Sequence, residues 1–164
     1  MKQNEYWDSV SEKKEFSTPF QAEVFSKFVR KDSHILDVGC GYGRTLHELY
    51  ENGYRNLTGL DFSSGMIERG KRQFPYLDLR VKEDDAIALP DNSVDAVILF
   101  AVLTCIRTNE EQENLLKEIE RVLKPQGILY VNDFLLNTDE RNLSRYEYFK
   151  EIYGTYGVFE LPEG

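Results

Sequence analysis

The sequence has few of the residues that build disulfide frameworks, metal clusters or basic surfaces. Its 164 residues include two cysteines, Cys40 and Cys105, and two histidines, which predicts neither a disulfide framework nor a bound metal. Lysine and arginine number 20 against 29 acidic residues, giving a formal charge of -9. This balance argues against a protein that binds nucleic-acid backbones through a basic stripe.

Long apolar runs are also missing. The charged amino terminus is not followed by the apolar segment of a signal peptide, and no run is long enough to cross a membrane. We therefore expect no membrane partner and a cytoplasmic protein. The length is sufficient for one domain with its own core.

A glycine-rich turn after a short apolar run is the most informative feature that is present. Residues 35–38 predict a buried strand, and residues 45–52 predict a helix with one apolar face. Between them stand three glycines at alternate positions, Gly39, Gly41 and Gly43. Glycine accepts positive φ and has no Cβ, so a ligand can approach the backbone of such a turn closely.

Residue 44 separates two classes of nucleotide-binding turn. The dinucleotide fingerprint places a glycine three residues after its second glycine, where the helix begins over a pyrophosphate. This sequence has Arg44 at that position, Gly43 one residue earlier, and an acid, Asp37, two residues before the first glycine. At these residues the chain resembles the class I S-adenosylmethionine-dependent methyltransferases.

Two acids farther along the chain extend the resemblance. Asp61 ends a predicted second strand, where the resemblance implies a carboxylate that accepts both ribose hydroxyls. In the same way, Asp85 would accept the exocyclic amine of adenine and the amide of Ala86 would meet a ring nitrogen, with Asp84 as the alternative acid. Read without the resemblance, Asp61 is a turn aspartate and residues 82–90 are an acidic surface loop.

The implied cofactor-binding set also contains the glycine turn and three apolar side chains. Asp37 is expected to stabilise the turn and to bind the amino group of the cofactor. The main-chain amides of the turn are expected to contact the amino-acid tail of the cofactor. Phe62 is expected against the adenine or ribose, and Met66, which alone would be read as a core residue, near the adenine. The complete set is Asp37, Gly39, Cys40, Gly41, Gly43, Asp61, Phe62, Met66, Asp85, Ala86 and Phe100.

Strands and helices alternate along the chain, which predicts an α/β fold. The resemblance implies a doubly wound, mainly parallel Rossmann-like sheet with helices on both faces, a three-layer sandwich. Within one domain, residues 1–32 are expected to form a helical cap or lid, residues 33–136 the cofactor-binding core, and residues 137–164 a C-terminal aromatic helical segment. No C-terminal β-hairpin can be placed after the fifth predicted strand, residues 128–132, whose apolar edge is a candidate homodimer contact.

The amino-terminal segment carries candidate lid residues. The resemblance implies that this segment folds over the cofactor and lines the substrate pocket, so Tyr6 and Trp7 are candidate lid residues, and Leu103 after the fourth strand is a further candidate for contact with a substrate. A second packed helix is an equally good interpretation of the segment around Trp7. Farther along, Thr18 is predicted to cap a helix that covers the sheet. No catalytic residue is predicted, and Tyr6 and His47 are the side chains considered as a base.

The resemblance implies an S-adenosylmethionine-dependent methyltransferase, for which we expect a small-molecule acceptor. A sulfonium already makes its methyl group electrophilic, so the protein mainly has to hold the acceptor in line and exclude water. A non-catalytic S-adenosylmethionine-binding module, or an incomplete fragment, is the alternative. An NAD-dependent oxidoreductase fits less well, because Arg44 replaces a required glycine and no substrate domain is visible.

Overall fold

The computed structural model describes residues 3–83 and 85–159. Its strands are β1 (Ile35–Val38), β2 (Leu57–Asp61), β3 (Asp78–Val81), β4 (Val94–Phe100) and β5 (Leu123–Asn132). Its helices are α1 (Gln3–Val10), α2 (Ala22–Phe25), α3 (Arg44–Glu51), α4 (Ser64–Gln73), α5 (Asn109–Val122) and α6 (Glu140–Tyr153), and a 3-10 turn covers Leu103–Cys105. None of these helices, all within the described residues, has the length and apolar character of a membrane span.

The five strands form one sheet in which every neighbouring pair is parallel. The order across the sheet is β3-β2-β1-β4-β5, so β1 is central, with β2 on one side and β4 on the other. Open α/β sheets bind ligands at the carboxyl ends of the strands where the chain changes direction across the sheet, here between β1 and β4. The doubly wound fold predicted from the sequence is confirmed.

Both faces of the sheet are buried at its central strands β1 and β4. Four consecutive residues of β4 have no exposed surface: Ala96, Val97, Ile98 and Leu99. A strand that is covered on both faces needs apolar residues at every position, which explains the continuous apolar run in the sequence. Side chains of α2, α3 and α4 pack on one face and those of α5 on the other. The layers are those of a three-layer sandwich.

Local signals define where two helices begin. The Ser63 hydroxyl accepts a hydrogen bond from the Met66 N–H at 3.1 Å and caps α4. Thr108 and Glu111 form a reciprocal capping box at the start of α5. Each cap satisfies main-chain donors that have no partner within the helix, so the sequence alone marks these boundaries.

The helix predicted to begin at Thr18 is shorter than its pattern indicates. α2 covers only Ala22–Phe25, starts after Gln21 and has no side-chain cap. The Thr18 carbonyl instead accepts a hydrogen bond from Arg44 Nη2 at 2.7 Å. The predicted Thr18 cap is therefore wrong, because a tertiary contact holds the chain at Thr18 against the first turn of α3.

β5 forms one edge of the sheet and is followed by exposed apolar residues. No strand of the described chain pairs with its outer side. Phe134 and Leu136 are exposed, and Leu135 is 89 % exposed. The hydroxyl of Tyr146, which is buried in α6, accepts the Asn137 N–H at 3.1 Å and fixes the chain after this segment. The structure thus contains the apolar strand edge expected from the sequence.

Candidate functional site

The glycine turn follows β1 at the carboxyl end of the sheet. Gly39, Gly41 and Gly43 have φ values of +77°, +55° and +85°, a region that residues with a Cβ rarely adopt. A Cβ at Gly41 would lie 2.8 Å from Cε2 of Phe16, and a Cβ at Gly39 would lie 2.6 Å from Cγ2 of Val102. The backbone conformation and the side chains that cover the turn both require glycine.

Several main-chain donors of the turn already have partners inside the protein. The N–H groups of Gly39 and Cys40 donate to the Leu60 carbonyl at 2.7 and 3.0 Å. The Gly41 N–H donates to Asp61 Oδ2 at 2.8 Å. These bonds fix the turn to the end of β2, so its shape does not depend on a ligand.

Asp61 joins the glycine turn to the start of α4. Its Oδ2 accepts the Gly41 N–H, and its Oδ1 accepts the Ser63 N–H at 2.8 Å. Burial raises the pKa of Asp61, whereas these two hydrogen bonds favour the ionised form. Each carboxylate oxygen has a second lone pair, so Asp61 can accept further hydrogen bonds from a ligand.

Asp37 is a buried acid in β1. It is 2 % exposed, and its Oδ1 has no hydrogen-bond partner among the described residues. Burial raises the pKa of Asp37 to about 7; the charge of Asp61 adds to this rise and that of Arg44 opposes it. A buried carboxylate with an open hydrogen-bonding position is suited to a cationic group of a ligand.

α1 is fastened to the start of α4, next to Asp61. Asp8 Oδ1 accepts hydrogen bonds from Ser63 Oγ at 2.6 Å and from the Gly65 N–H at 2.9 Å. A Cβ at Gly65 would lie 2.6 Å from Ser11 Oγ. Close packing and a carboxylate at the first turn of α4 therefore hold α1 in place.

Arg69 of α4 fastens the segment that follows α1. Its side chain is 6 % exposed and donates to the carbonyls of Ser11 and Lys14 at 2.9 and 2.7 Å, and to Glu15 Oε1 at 2.5 Å. Its guanidinium also lies over the Tyr42 ring, with Cζ 3.9 Å from the ring centroid. Arg69 thus connects the amino-terminal segment to the glycine turn.

Aromatic rings extend from α1 to the glycine turn. The ring centroids of Tyr6 and Trp7 are 5.2 Å apart, those of Trp7 and Phe16 are 6.1 Å apart, and those of Phe16 and Tyr42 are 5.5 Å apart and stacked. The ring that contacts Gly41 belongs to Phe16. The predicted lid residues Tyr6 and Trp7 therefore lie behind Phe16, which the sequence analysis did not identify.

The residues expected around an adenine differ in their exposure to solvent. Phe62 is exposed after the carboxyl end of β2, and Asp85 and Ala86 are exposed in the loop after β3. Met66 is 1 % exposed and lies inside the protein. Asp84 lies outside the described residues. Phe62, Asp85 and Ala86 are thus accessible to a ligand, whereas Met66 lies behind the accessible surface.

Two charged residues of α5 hold the loop that carries Asp85. Glu118 Oε2 accepts the Ile87 N–H at 2.8 Å, and Arg121 donates to the carbonyls of Ile87 and Leu89 at 2.7 and 2.9 Å. Hydrogen bonds from Arg121 and from the Ile87 N–H lower the pKa of Glu118 to about 2. These contacts fix the loop to the sheet face covered by α5.

The carboxyl end of β4 contributes Phe100 and a strained backbone. The Phe100 ring centroid is 5.7 Å from Cζ of Arg44, so Phe100 lies beside the guanidinium of the residue that follows the glycine turn. Ala101 has a φ of +57°, which is unfavourable for a residue with a Cβ. Leu103 is half-buried and packs against the core on the α5 face. Phe100 thus contacts the side chain of the residue that follows the turn, whereas Leu103 packs on the α5 face.

The two histidines are not part of this site. His34 precedes β1, where its ring nitrogens contact the Ser93 carbonyl at 3.2 Å and the Thr58 hydroxyl at 3.1 Å. His47 stacks on Phe74 with ring centroids 4.3 Å apart. His47 therefore packs against the connection between α4 and β3, and the structure does not place it as a base at the carboxyl ends of the strands.

Long-range contacts hid several site residues from the sequence analysis. Asp8, Phe16 and Val102 show no local pattern, because each acts on a segment far from it in the chain. Arg69 did give a signal, since it stands three residues after Met66, and this spacing places both residues on one side of a helix, the side that is buried in α4. A buried arginine needs acceptors, so its position could have predicted a segment packed over α4.

Comparison with known proteins accounts for this arrangement. A family model described as a methyltransferase domain matches residues 36–131. The chain belongs to this methyltransferase family. A demethylmenaquinone methyltransferase from Renibacterium salmoninarum is 35 % identical over 128 residues, covering 78 % of this chain and 49 % of that protein. One from Staphylococcus epidermidis is 37 % identical over 139 residues, covering 82 % and 54 %.

The methyltransferase chain thus spans about half the length of the curated relatives it matches. An S-adenosylmethionine-dependent methyltransferase from Methanosarcina mazei has a solved structure that is 27 % identical, with a TM-score of 0.82, covering 90 % of this chain and 74 % of that chain. The resemblance to the class I methyltransferases noted in the sequence is confirmed. The cofactor of this class is S-adenosylmethionine.

Replacing Glu118 by alanine tests how firmly the loop after β3 is held. The change leaves the buried Ile87 N–H without its acceptor and removes one of the two ion pairs of Arg121, so we expect the free energy of unfolding to fall by about 1 to 3 kcal/mol. Glu120→Ala changes an exposed residue of the same helix and is the matched control. Equal urea midpoints for the two variants would show that Glu118 does not hold the loop.

Proposed function

We propose that this methyltransferase domain binds S-adenosylmethionine at the glycine turn and transfers its methyl group to a small quinone-type acceptor. The observation that carries the proposal is buried Asp37, whose Oδ1 has no partner among the described residues, beside the carboxylate of Asp61. These acids lie on adjacent parallel strands. They suit a ligand that has an ammonium group at one end and a ribose in its middle.

The predicted cofactor contacts divide among three parts of such a ligand: the ammonium group, the ribose and the adenine. Asp37 would accept hydrogen bonds from the ammonium group, and Asp61 would accept the ribose hydroxyls with its remaining lone pairs. Asp85 and Ala86, exposed in a loop held by α5, would meet the adenine edge, with Phe62 beside the ring. Met66, Cys40 and Phe100 would support these residues from behind or from the β4 side.

When bound, S-adenosylmethionine supplies a methyl group that its sulfonium makes electrophilic. The residues of this chain have to orient the ligand and keep water away, and positioning alone can contribute about 7 to 11 kcal/mol. Phe16 and Val102 lie directly over the glycine turn, and Trp7 packs behind Phe16. This packing supports a lid role for the amino-terminal segment, within the proposed division into residues 1–32, 33–136 and 137–164.

The acceptor is proposed from the relatives and from the aromatic side chains. Relatives from Renibacterium salmoninarum and Staphylococcus epidermidis are named demethylmenaquinone methyltransferases. Phe16 next to the turn, with Trp7 and Tyr6 behind it, provides flat apolar surface, which is complementary to a quinone ring. Leu103 is a further candidate contact from the β4 side. No residue of the chain is assigned as a base.

A cofactor-binding module without catalysis is the second candidate function. Both histidines pack away from the carboxyl ends of the strands, so the site as described holds no imidazole to take a proton from an acceptor. Such a module would bind the cofactor with the same residues. An NAD-dependent oxidoreductase is disfavoured by Arg44, which stands where a pyrophosphate-binding turn has glycine.

Calorimetric titration with S-adenosylhomocysteine, S-adenosylmethionine and NAD tests the cofactor. We expect micromolar binding of the first two and none of NAD. Asp61→Asn removes the charge but keeps an acceptor oxygen, and we expect it to weaken S-adenosylhomocysteine binding about 10- to 100-fold, because hydrogen bonds to a charged group are lost.

Asp78→Asn, an exposed acid on neighbouring β3 that pairs with Arg80, is the control and should bind like the original protein. Binding of NAD alone would overturn the proposal, and an unchanged Asp61→Asn would remove Asp61 from the ribose position. A screen of demethylated quinones with the cofactor then separates catalysis from binding alone.

Self-association and location are further parts of the proposal. The outer side of β5 and the exposed side chains of Phe134, Leu135 and Leu136 offer an apolar contact for a second copy, supporting a homodimer. Sedimentation velocity distinguishes the dimer from a monomer.

A cytoplasmic location is proposed in keeping with the small-molecule acceptor, and cell fractionation tests it.

A further inference from the structure

Arg44 is the first residue of α3, and its guanidinium lies within the site. Its Nη2 donates to the Thr18 carbonyl at 2.7 Å, and its Cζ is 5.7 Å from the centroid of the Phe100 ring. Its Nε is buried and has no hydrogen-bond partner among the described residues. Buried polar groups are almost always paired, so an unpaired donor on a charged side chain points to a ligand.

Arg44 and Asp37 carry opposite charges, and each has a buried atom without a partner in the described structure. These atoms are Nε of Arg44 and Oδ1 of Asp37, which are therefore not bonded to each other. The arginine is nevertheless close enough to oppose the rise in the pKa of Asp37. A zwitterion between them would offer an ammonium group to Asp37 and a carboxylate to Arg44.

The glycine turn has few free donors for a carboxylate. The N–H groups of Gly39, Gly41 and Gly43 all donate to other groups of the protein. The expectation that these turn amides meet the tail of the cofactor is therefore difficult to satisfy at these three positions. Arg44 follows the turn directly and has the donor that they lack.

We infer that Arg44 binds the carboxylate of the methionine tail of the cofactor, opposite Asp37 at its ammonium group, and thereby selects ligands with a complete amino-acid tail. This inference rests on the proposed function, because it takes S-adenosylmethionine as the ligand. A guanidinium binds a carboxylate through two parallel hydrogen bonds, which a lysine cannot reproduce. The Phe100 ring beside Cζ supports the guanidinium on one side.

Truncated ligands isolate this contact. Dissociation constants would be measured for S-adenosylhomocysteine, for its decarboxylated analogue and for 5′-methylthioadenosine, which lacks the whole amino-acid tail. We expect the protein to prefer S-adenosylhomocysteine over the decarboxylated analogue about 10- to 100-fold. In Arg44→Gln this preference should disappear while 5′-methylthioadenosine binds as before, and Arg44→Lys should keep only part of it. Arg30→Gln, an exposed arginine paired with Asp32, is the control.

The outcomes separate this inference from the proposed function. If the protein binds neither S-adenosylhomocysteine nor 5′-methylthioadenosine, the proposed function and the inference both fail. If it binds both ligands but does not distinguish the decarboxylated analogue, Arg44 has no such role and the cofactor assignment stands. This second result needs no variant, so it holds even if an Arg44 substitution unfolds the protein. Retention of the full preference in a folded Arg44→Gln would also overturn the inference.

Discussion

Replacing Asp37 by asparagine is expected to stabilise the ligand-free protein at pH 8 and to weaken cofactor binding at the same time. Burial raises the pKa of Asp37 from 3.8 to about 7, so the folded protein binds more protons than the unfolded chain between these pH values. Stability therefore falls as the pH rises from about 4 to about 7. Ionisation of the buried acid costs up to about 4 kcal/mol above that range.

Asparagine removes this cost because it does not ionise. At pH 8 we expect Asp37→Asn to raise the free energy of unfolding by about 2 to 4 kcal/mol and the melting temperature by roughly 5 to 15 °C. At pH 4 the two proteins should melt together. Asp32→Asn, at an exposed ion pair, is the control and should change little at either pH. Equal stability of Asp37→Asn and the original protein at pH 8 would show that ionisation of Asp37 does not destabilise the folded protein.

Ligand binding should show the opposite dependence on pH. An ammonium group binds the ionised form of Asp37, so the affinity for S-adenosylhomocysteine should fall up to tenfold per unit as the pH drops below about 7. In Asp37→Asn this pH dependence should vanish and the affinity at pH 7.5 should be lower. Calorimetry between pH 5.5 and 7.5 measures both. A residue that is unfavourable for folding but favourable for binding indicates a functional site.

Replacing Arg69 by methionine is expected to release the amino-terminal segment. The buried guanidinium donates to the carbonyls of Ser11 and Lys14, and methionine of similar length offers no donor. Two carbonyls then lose their partners, at a cost of about 1 to 3 kcal/mol for each that stays buried. We expect a total loss of about 2 to 4 kcal/mol, divided between global unfolding and local detachment of this segment.

Limited digestion with trypsin detects the detachment, because Lys13 and Lys14 lie in the anchored segment. Cleavage after these lysines should be much faster in Arg69→Met than in the original protein. Arg72→Met is the matched control: Arg72 lies three residues farther along α4 and pairs with Glu12, but its side chain is 56 % exposed, so the change should have little effect. Similar cleavage of the two variants would show that Arg69 is not the anchor.

The sequence predicted the parts of the structure that depend on local chemistry. The glycine turn could be identified because its glycines have positive φ, and the starts of α4 and α5 because Ser63 and Thr108 act as caps. β4 could be recognised because it is covered on both faces and needs apolar residues throughout. Each of these features is determined by a few consecutive residues.

The remaining site features depend on contacts between distant segments. The capping signal at Thr18 failed because its carbonyl is bonded to Arg44, which lies 26 residues away. Phe16 was missed because a single aromatic residue in a polar segment gives no periodic signal, although it covers Gly41. In the sequence, Arg44 was informative only because it stands where a dinucleotide-binding turn has glycine. Only the structure shows that its Nε has no hydrogen-bond partner among the described residues.

The contrast between the fixed glycine turn and the ring above it has a kinetic consequence. The turn is hydrogen-bonded to β2 through Leu60 and Asp61. Its backbone is therefore already ordered, and binding of a ligand requires little further ordering of the turn. Phe16, in contrast, lies against Gly41 and has to move before the backbone can be approached. Association should therefore follow two steps, with an observed rate that reaches a plateau at high cofactor concentration, and the plateau reports how often the ring moves away.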